Sequence, residues 1–140
     1  MMKQHHTTIV HLDDDTEEKE LFEAGLSKSG YKFNVEYFQK ATDAIEFLKR
    51  TKDKIFAIIS DMNMPDVDGL EFKKLIDTDN QLRKKAIPFI FISSSATPLQ
   101  ISRAYELGIQ GYFEKPFGIE QMADIIDTFV KYWSVVIPPL

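Results

Sequence analysis

Ile55-Phe56-Ala57-Ile58-Ile59-Ser60-Asp61-Met62-Asn63-Met64-Pro65-Asp66-Val67-Asp68-Gly69-Leu70 is the stretch that decides the fold. Ile55 to Ile59 is an unbroken apolar run rich in β-branched residues, the pattern of a strand covered on both faces, as in a parallel sheet. The run stops at an acid, Asp61. Pro65 then forbids a continuing ladder, and Asp66, Asp68 and Gly69 are turn and helix-start residues before an apolar-periodic segment. Asp61 therefore stands where a buried strand meets a loop, and in open α/β sheets ligands bind beyond the carboxyl ends of the strands. Taken alone, a turn aspartate is the simpler reading, and the other strand ends decide.

Working outward, Thr8 to Leu12 is a short apolar strand that runs into Asp13, Asp14 and Asp15. Glu17, Glu18 and Glu20 place negative charge in the first turn of the next helix, Leu21, Phe22 and Leu26 supply its buried face, and Gly30 closes it. Tyr31 to Phe38 alternates Phe33, Val35 and Tyr37 with polar residues, which marks an edge strand with one face partly wet. Ala41, Ala44, Ile45 and Leu48 keep helical spacing, as do Leu70, Phe72, Leu75 and Ile76 in a third helix that ends near the polar Asp77 to Lys85 stretch. Ile87 to Ile92 is a fourth strand, with Pro88 near its start, and it leads into Ser93, Ser94 and Ser95. Thr97-Pro98-Leu99-Gln100 is a helix start, with Thr97 as cap, proline at the first helical position and Gln100 as capping-box partner. Gly108 can end that helix. Ile109 to Glu114 is a fifth strand reaching Lys115-Pro116, and Ile119 to Trp133 a long final helix. Val135 to Leu140 is an apolar tail with no assignment. Five strands alternating with five helices define a doubly wound parallel α/β sheet with right-handed crossovers.

The 140 residues suit one domain with its own core. Hydrophobic content of 44% with 28% charged residues is that of a globular chain. A net charge of -5 argues against a nucleic-acid-binding face, which needs clustered Lys and Arg. With no cysteine, disulfides, thiolate metal sites and cysteine nucleophiles are excluded. The amino terminus lacks an apolar signal core and no run approaches membrane-spanning length, so a cytoplasmic protein without membrane insertion is expected.

If the strands are all parallel, Asp13, Asp14, Asp61, Ser93 and Lys115 share one edge of the sheet. Three gathered carboxylates repel one another unless a cation sits among them. Hard oxygens without His or Cys suit Mg²⁺. A metal, a lysine and a hydroxyl converging on a carboxylate make an anion site around a nucleophile, as phosphoryl transfer requires. Each residue also has a plain reading: Asp15 as a helix cap, Ser93 to Ser95 as a loop, Lys115 as a solvated lysine beside a turn. His5, His6 and His11 read as a terminus and a strand histidine rather than a metal site.

The Asp13-Asp14 pair, Asp61-Met62-Asn63-Met64-Pro65 with Asp68-Gly69, Ser93, and Lys115-Pro116-Phe117 occur in this order after successive strands, and in this the chain resembles the receiver domain of two-component response regulators, above all the single-domain, chemotaxis-regulator type. The resemblance runs from about Thr8 to Trp133. It implies one receiver domain over 1–140, with a core of about 8–133, a tail over 134–140 and no output domain, folded as a flavodoxin-like sheet of strand order 2-1-3-4-5. It implies that Asp61 is the phosphoacceptor and that Asp14, Asp61 and the backbone carbonyl of Asn63 ligate Mg²⁺, with Asp13 acting through a metal-bound water. It implies that Lys115 pairs with the phosphoryl group or the acids, that Ser93 is the switch hydroxyl, and that Tyr112 is the aromatic whose rotation follows it. Ser93 stands where threonine is frequent and Ser94 where alanine is common. Asn63 and Ser95 fall at positions that tune dephosphorylation in the family, and the Lys115-Pro116 bond matches one that is cis there.

The function so implied is regulatory, with self-catalysed phosphotransfer and autodephosphorylation. Asp61 takes a phosphoryl group from a histidine kinase or a histidine phosphotransfer protein. The face made by the fourth helix, fifth strand and fifth helix, with Tyr105, Gln110, Tyr112 and Phe117, then changes for a downstream protein partner. Three rivals differ in kind. A haloacid dehalogenase-type phosphatase wants a second acid two residues after the nucleophile, where Asn63 stands. A flavodoxin-like mononucleotide binder wants a Ser, Thr or Gly loop where Asp13 to Asp15 would repel phosphate. A degenerate receiver would bind partners without phosphorylation.

Overall fold

The computed structural model describes residues 8–94 and 96–139. Its elements run β1 (Thr8–Leu12), α1 (Thr16–Ser29), β2 (Asn34–Phe38), α2 (Ala41–Arg50), β3 (Ile55–Ser60), α3 (Gly69–Thr78), α4 (Asn80–Lys85), β4 (Phe89–Ser93), α5 (Pro98–Glu106), β5 (Gly111–Glu114) and α6 (Ile119–Ser134). All strand pairs are parallel, in the order β2-β1-β3-β4-β5. The partly wet alternation of Val35 and Tyr37 is that of an edge strand, and β2 is half-buried where β1, β3 and β4 are buried throughout.

Two apolar layers sandwich the sheet. Val10 and Leu12 pack with Leu48 of α2, Phe72 and Ile76 of α3, Leu82 of α4 and Ala104 of α5. Ile9, Ile59 and Ile90 pack on the opposite face with Phe22 and Leu26 of α1 and Ile126, Phe129 and Val130 of α6. A register shift between β1 and β3 puts one extra residue, Phe56, against the step from Thr8 to Ile9, so Phe56 and Ala57 both join the second layer. Complete burial of a side chain such as Phe22 or Phe72 contributes about 2–3 kcal/mol against exposure, which is why periodicity governs the layering.

The helix ends follow the local chemistry. The Asp15 carboxylate accepts from Glu17 N–H at 2.9 Å, and Gly30 takes the left-handed conformation at φ 86° that closes α1. Thr97 and Gln100 form the expected capping box on α5.

Several expectations are corrected. Among the described residues there are six helices rather than five, because Asn80 to Lys85, within the polar stretch where the third helix was expected to end, forms α4. Asp79 both follows α3 and caps α4 by accepting from Leu82 N–H at 3.0 Å, while Leu82 anchors the turn in the core. The face expected on the fourth and fifth helices is thus made by α5, β5 and α6. Leu75 is exposed although it fits the helical spacing of α3. Strand β4 starts at Phe89, since Pro88 has no N–H to donate and only its carbonyl joins the ladder, accepting from Ile58 N–H. Strand β5 starts at Gly111, because Ile109 N–H bonds back to Ala104 at the end of α5. Lys115-Pro116 is trans, the isomer that an X–Pro bond favours by about 0.5–1 kcal/mol. His5, His6 and Ser95 lie outside the described residues. Val135 and Ile137, beyond α6, are exposed.

Candidate functional site at the carboxyl edge of the sheet

Backbone pairing continues one residue past the strands and holds the acids in place. Asp61 N–H donates to Leu12 C=O at 2.9 Å, Asp13 N–H to Phe38 C=O at 3.1 Å, and Lys115 N–H to Ser93 C=O at 3.2 Å. The ladder thus brings Asp13, Asp61, Ser93 and Lys115 to one edge. Asp14 stands beside them on the exposed side, and one carboxylate oxygen from each of Asp13, Asp14 and Asp61 lies within 4.8 Å of the others.

Asp13 is buried, and its backbone and side chain are both tied. Its Oδ1 accepts from Asp15 N–H at 3.0 Å, and its carbonyl accepts from the Tyr37 hydroxyl at 2.6 Å. Asp61 is buried as well. Its Oδ1 accepts from Ser93 Oγ at 2.8 Å and from Met62 N–H at 2.9 Å. The Lys115 ammonium reaches in from β5 to 3.0 Å from Asp13 Oδ2, 3.7 Å from Asp61 Oδ1 and 3.9 Å from Glu18 Oε1. Gly69 begins α3 hard against this turn. A Cβ there would run into the Phe91 ring and stand 2.6 Å from the Asp61 carbonyl oxygen. Its N–H donates to Met62 C=O at 2.7 Å. The glycine lets the helix start close enough to fix the loop that carries Asp61.

Burial pushes the Asp13 carboxyl up to about 6, despite the Asp15 N–H and the Lys115 ammonium, with Asp61 adding repulsion. Burial works against the Lys115 charge, but Asp13 and Asp61 outweigh it and raise its pKa. One ammonium therefore does not neutralise the cluster. An all-oxygen donor set with two buried carboxyls, Asp13 and Asp61, fits a small hard divalent cation.

Tyr112 is half-buried, with its hydroxyl donating to Ser93 C=O at 3.0 Å, so its ring is turned toward β4. Ser94, beside Ser93, is exposed. Asp13 and Asp14 just past β1, Asp61 just past β3, Ser93 at the end of β4 and Lys115 just past β5 converge, as expected from the sequence. The Asn63 side chain lies to the solvent side, where Gln100 Nε2 donates to its Oδ1 at 3.2 Å. Tyr37, Glu18 and Gln100 were not foreseen as neighbours. The parallel register, which sets Tyr37 opposite His11, is the signal that could have found the first.

Acids, an amine and a hydroxyl at the carboxyl edge of a doubly wound sheet of order 2-1-3-4-5 define the class of the site. The sequence profile of the response regulator receiver domain matches residues 9–127, and the chain belongs to that family. It is 30% identical over 111 residues to the chemotaxis protein CheY1 of Helicobacter pylori strain J99, covering 78% of this chain and 85% of that one. It is 29% identical to the probable chemotaxis protein CheY of Rhizobium etli, over 86% and 89% of the two chains. Against the Arabidopsis thaliana two-component response regulator ARR10 it is 28% identical over 88% of its own length, yet it spans only 21% of that relative. Among solved structures, the phosphorylated cyanobacterial phytochrome response regulator RcpA superposes with a TM-score of 0.82 at 23% identity, covering 96% of this chain and 99% of that one. No helix among the described residues is long and apolar enough to cross a membrane.

Proposed function

We propose that this receiver domain is a phosphorylation switch in which Asp61 is the phosphoacceptor. The observation that carries the reading is the convergence of Ser93 Oγ, Met62 N–H and Lys115 Nζ on Asp61 Oδ1. With Oδ1 so held, Oδ2 attacks the phosphorus of a phosphohistidine on a histidine kinase or phosphotransfer protein. The new O–P bond forms as the P–N bond breaks, and the imidazole leaves neutral, keeping the proton already on its other ring nitrogen while the electron pair of the broken bond stays on the nitrogen that held phosphorus. Lys115 balances the charge that spreads over the phosphoryl oxygens. Asp13, Asp14, Asp61 and the Asn63 carbonyl would hold Mg²⁺, which when bound supplies further positive charge to those oxygens.

Ser93 Oγ then exchanges its bond to Asp61 for one to a phosphoryl oxygen. Its movement loosens the Tyr112 bond to Ser93 C=O and re-sets the surface of α5, β5 and α6. Tyr105 and Phe117, both exposed, lie where a downstream protein would read that change. The Mn²⁺-bound form of the response regulator Rcp1, a structural neighbour at a TM-score of 0.78, supports a divalent cation on this fold.

Intact-mass spectrometry after incubation with acetyl phosphate tests the reading. A single Mg²⁺-dependent phosphoryl adduct, lost in Asp61→Asn, is the expected result. No adduct in the wild type, with donor consumption followed to exclude rapid turnover, would replace it with a phosphorylation-independent binding module.

A further inference from the structure

Hydrogen bonds cross from the loop after β3 to the chain that leaves β4 at two levels. The inner level is buried, Ser93 Oγ to Asp61 Oδ1 at 2.8 Å, with Met62 N–H also donating to Ser93 Oγ at 3.3 Å. The outer is on the solvent side, Gln100 Nε2 to Asn63 Oδ1 at 3.2 Å. This outer bond has a fixed polarity. Thr97 N–H donates to Gln100 Oε1 at 2.9 Å, and a backbone N–H can only donate. The oxygen end of the Gln100 amide is therefore committed to the helix cap, and the NH₂ end is the one turned to Asn63. The hydroxyl of Thr97 in turn accepts from Gln100 N–H at 3.1 Å.

A capping box needs only an acceptor at this position, and glutamate supplies one as well as glutamine does. Only glutamine caps and donates onward at once. The first turn of α5 is thereby fastened to Asn63, two residues after Asp61. The loop between them has its next backbone anchor at Gly69 N–H to Met62 C=O. A loop tied at Gly69, held inside by Ser93 and fastened on the solvent side through Asn63 keeps a defined opening over the Asp61 carboxylate.

We propose that Gln100 is a positioning residue for the phosphoacceptor site, holding Asn63 to the start of α5 and so setting how fast water removes the phosphoryl group. This rests on the reading of Asp61 as the phosphoacceptor. In the step concerned, a water oxygen bonds to phosphorus as the bond from phosphorus to Asp61 breaks. The carboxylate is regenerated and inorganic phosphate leaves with the water's protons. The tie holds the two loops together, so that the approaching water meets a narrow mouth, and its loss opens that mouth.

The experiment follows the decay of the phosphoryl adduct by intact mass in Mg²⁺ after the acetyl phosphate is removed. It compares the wild type, Gln100→Ala, Thr97→Ala, Asn63→Ala and the Asn63→Ala/Gln100→Ala double variant, with a thermal midpoint for each. Gln100→Ala is expected to decay about threefold to tenfold faster, the rate equivalent of one hydrogen bond. Thr97→Ala weakens the same cap but leaves the tie, so its midpoint falls and its decay stays at the wild-type rate. In the Asn63→Ala background Gln100→Ala adds nothing. Wild-type decay in Gln100→Ala, equal acceleration in Thr97→Ala, or an effect that persists without the Asn63 side chain overturns the tie. A wild type that forms no adduct overturns both this inference and the phosphoacceptor reading, whereas an adduct with unaltered decay overturns this inference alone.

Discussion

Lys115 reaches across the edge of the sheet to place its ammonium 3.0 Å from Asp13 Oδ2, closer than to Asp61. In the protein without metal, the lysine from the last strand thus serves chiefly the acid after the first. Lys115→Met leaves a buried carboxyl without its cation. We expect a loss of about 2–3 kcal/mol of stability at neutral pH, below the full value for stranding a buried charge because the Lys115 side chain keeps some contact with solvent. Adduct formation from acetyl phosphate should slow roughly a hundredfold, as when one charge-stabilising group is removed from an active site. Urea titration and adduct kinetics measure the two effects, and a variant as fast as the wild type would remove Lys115 from the mechanism.

Two buried groups on β1 and just beyond it oppose each other with pH. Burial, aided by Lys115 and Lys19, lowers the His11 imidazole from 6.5 to about 3. A depressed histidine contributes stability that is complete above its unfolded pKa and is lost as pH falls from about 6.5 toward 3. Burial raises Asp13 from 3.8 to about 6. A raised carboxyl contributes stability that is complete below its unfolded pKa and is lost as pH rises from about 4 to 6. Without Mg²⁺ the two slopes, each on the order of a few kcal/mol, offset one another between about pH 4 and 6. The urea midpoint should be nearly flat there for the wild type, rise with pH in Asp13→Asn and fall with pH in His11→Leu. Parallel profiles for the two variants would sink the assignment.

Gly69→Ala should cost about 3 kcal/mol. The added methyl meets the Asp61 carbonyl and Met62 Cα, which are backbone and cannot turn aside, as well as the Phe91 ring. Because relief requires moving the loop of Asp61, adduct formation should fall with stability. Full activity with lowered stability would show that the strain is absorbed in α3.

Ser93→Ala removes one of the donors to Asp61 Oδ1 and leaves Met62 N–H and Lys115. The adduct should still form. Hydrogen exchange in α5 and β5, compared with and without the phosphodonor, should lose the change shown by the wild type. A preserved change would place the trigger elsewhere than the hydroxyl.

The parallel doubly wound sheet, the edge character of β2 and the meeting of Asp13, Asp61, Ser93 and Lys115 were legible because each depends on periodicity or on what ends a strand, whereas the order of the strands followed only from the resemblance to receiver domains. Helix α4 was not, since six largely polar residues with one buried leucine carry no period, and its existence depends on Asp79 serving two helix ends. The Thr97–Gln100 capping box was legible from spacing of three, whereas the onward bond to Asn63 joins residues 37 apart and exists only once the loops have folded. His11 looked like an ordinary strand residue. Its cost appears only when it is enclosed by Phe22 and Tyr37 with Nδ1 unpartnered among the described residues.

The sheet is open at both sides, with β2 and β5 as its rims. Exposed rims of this kind invite strand-to-strand addition by further copies, the first step toward aggregates. Here one rim carries Glu36, and the other is only four residues long, from Gly111 to Glu114. A short rim on one side and a charged one on the other make edge-on stacking of copies unfavourable.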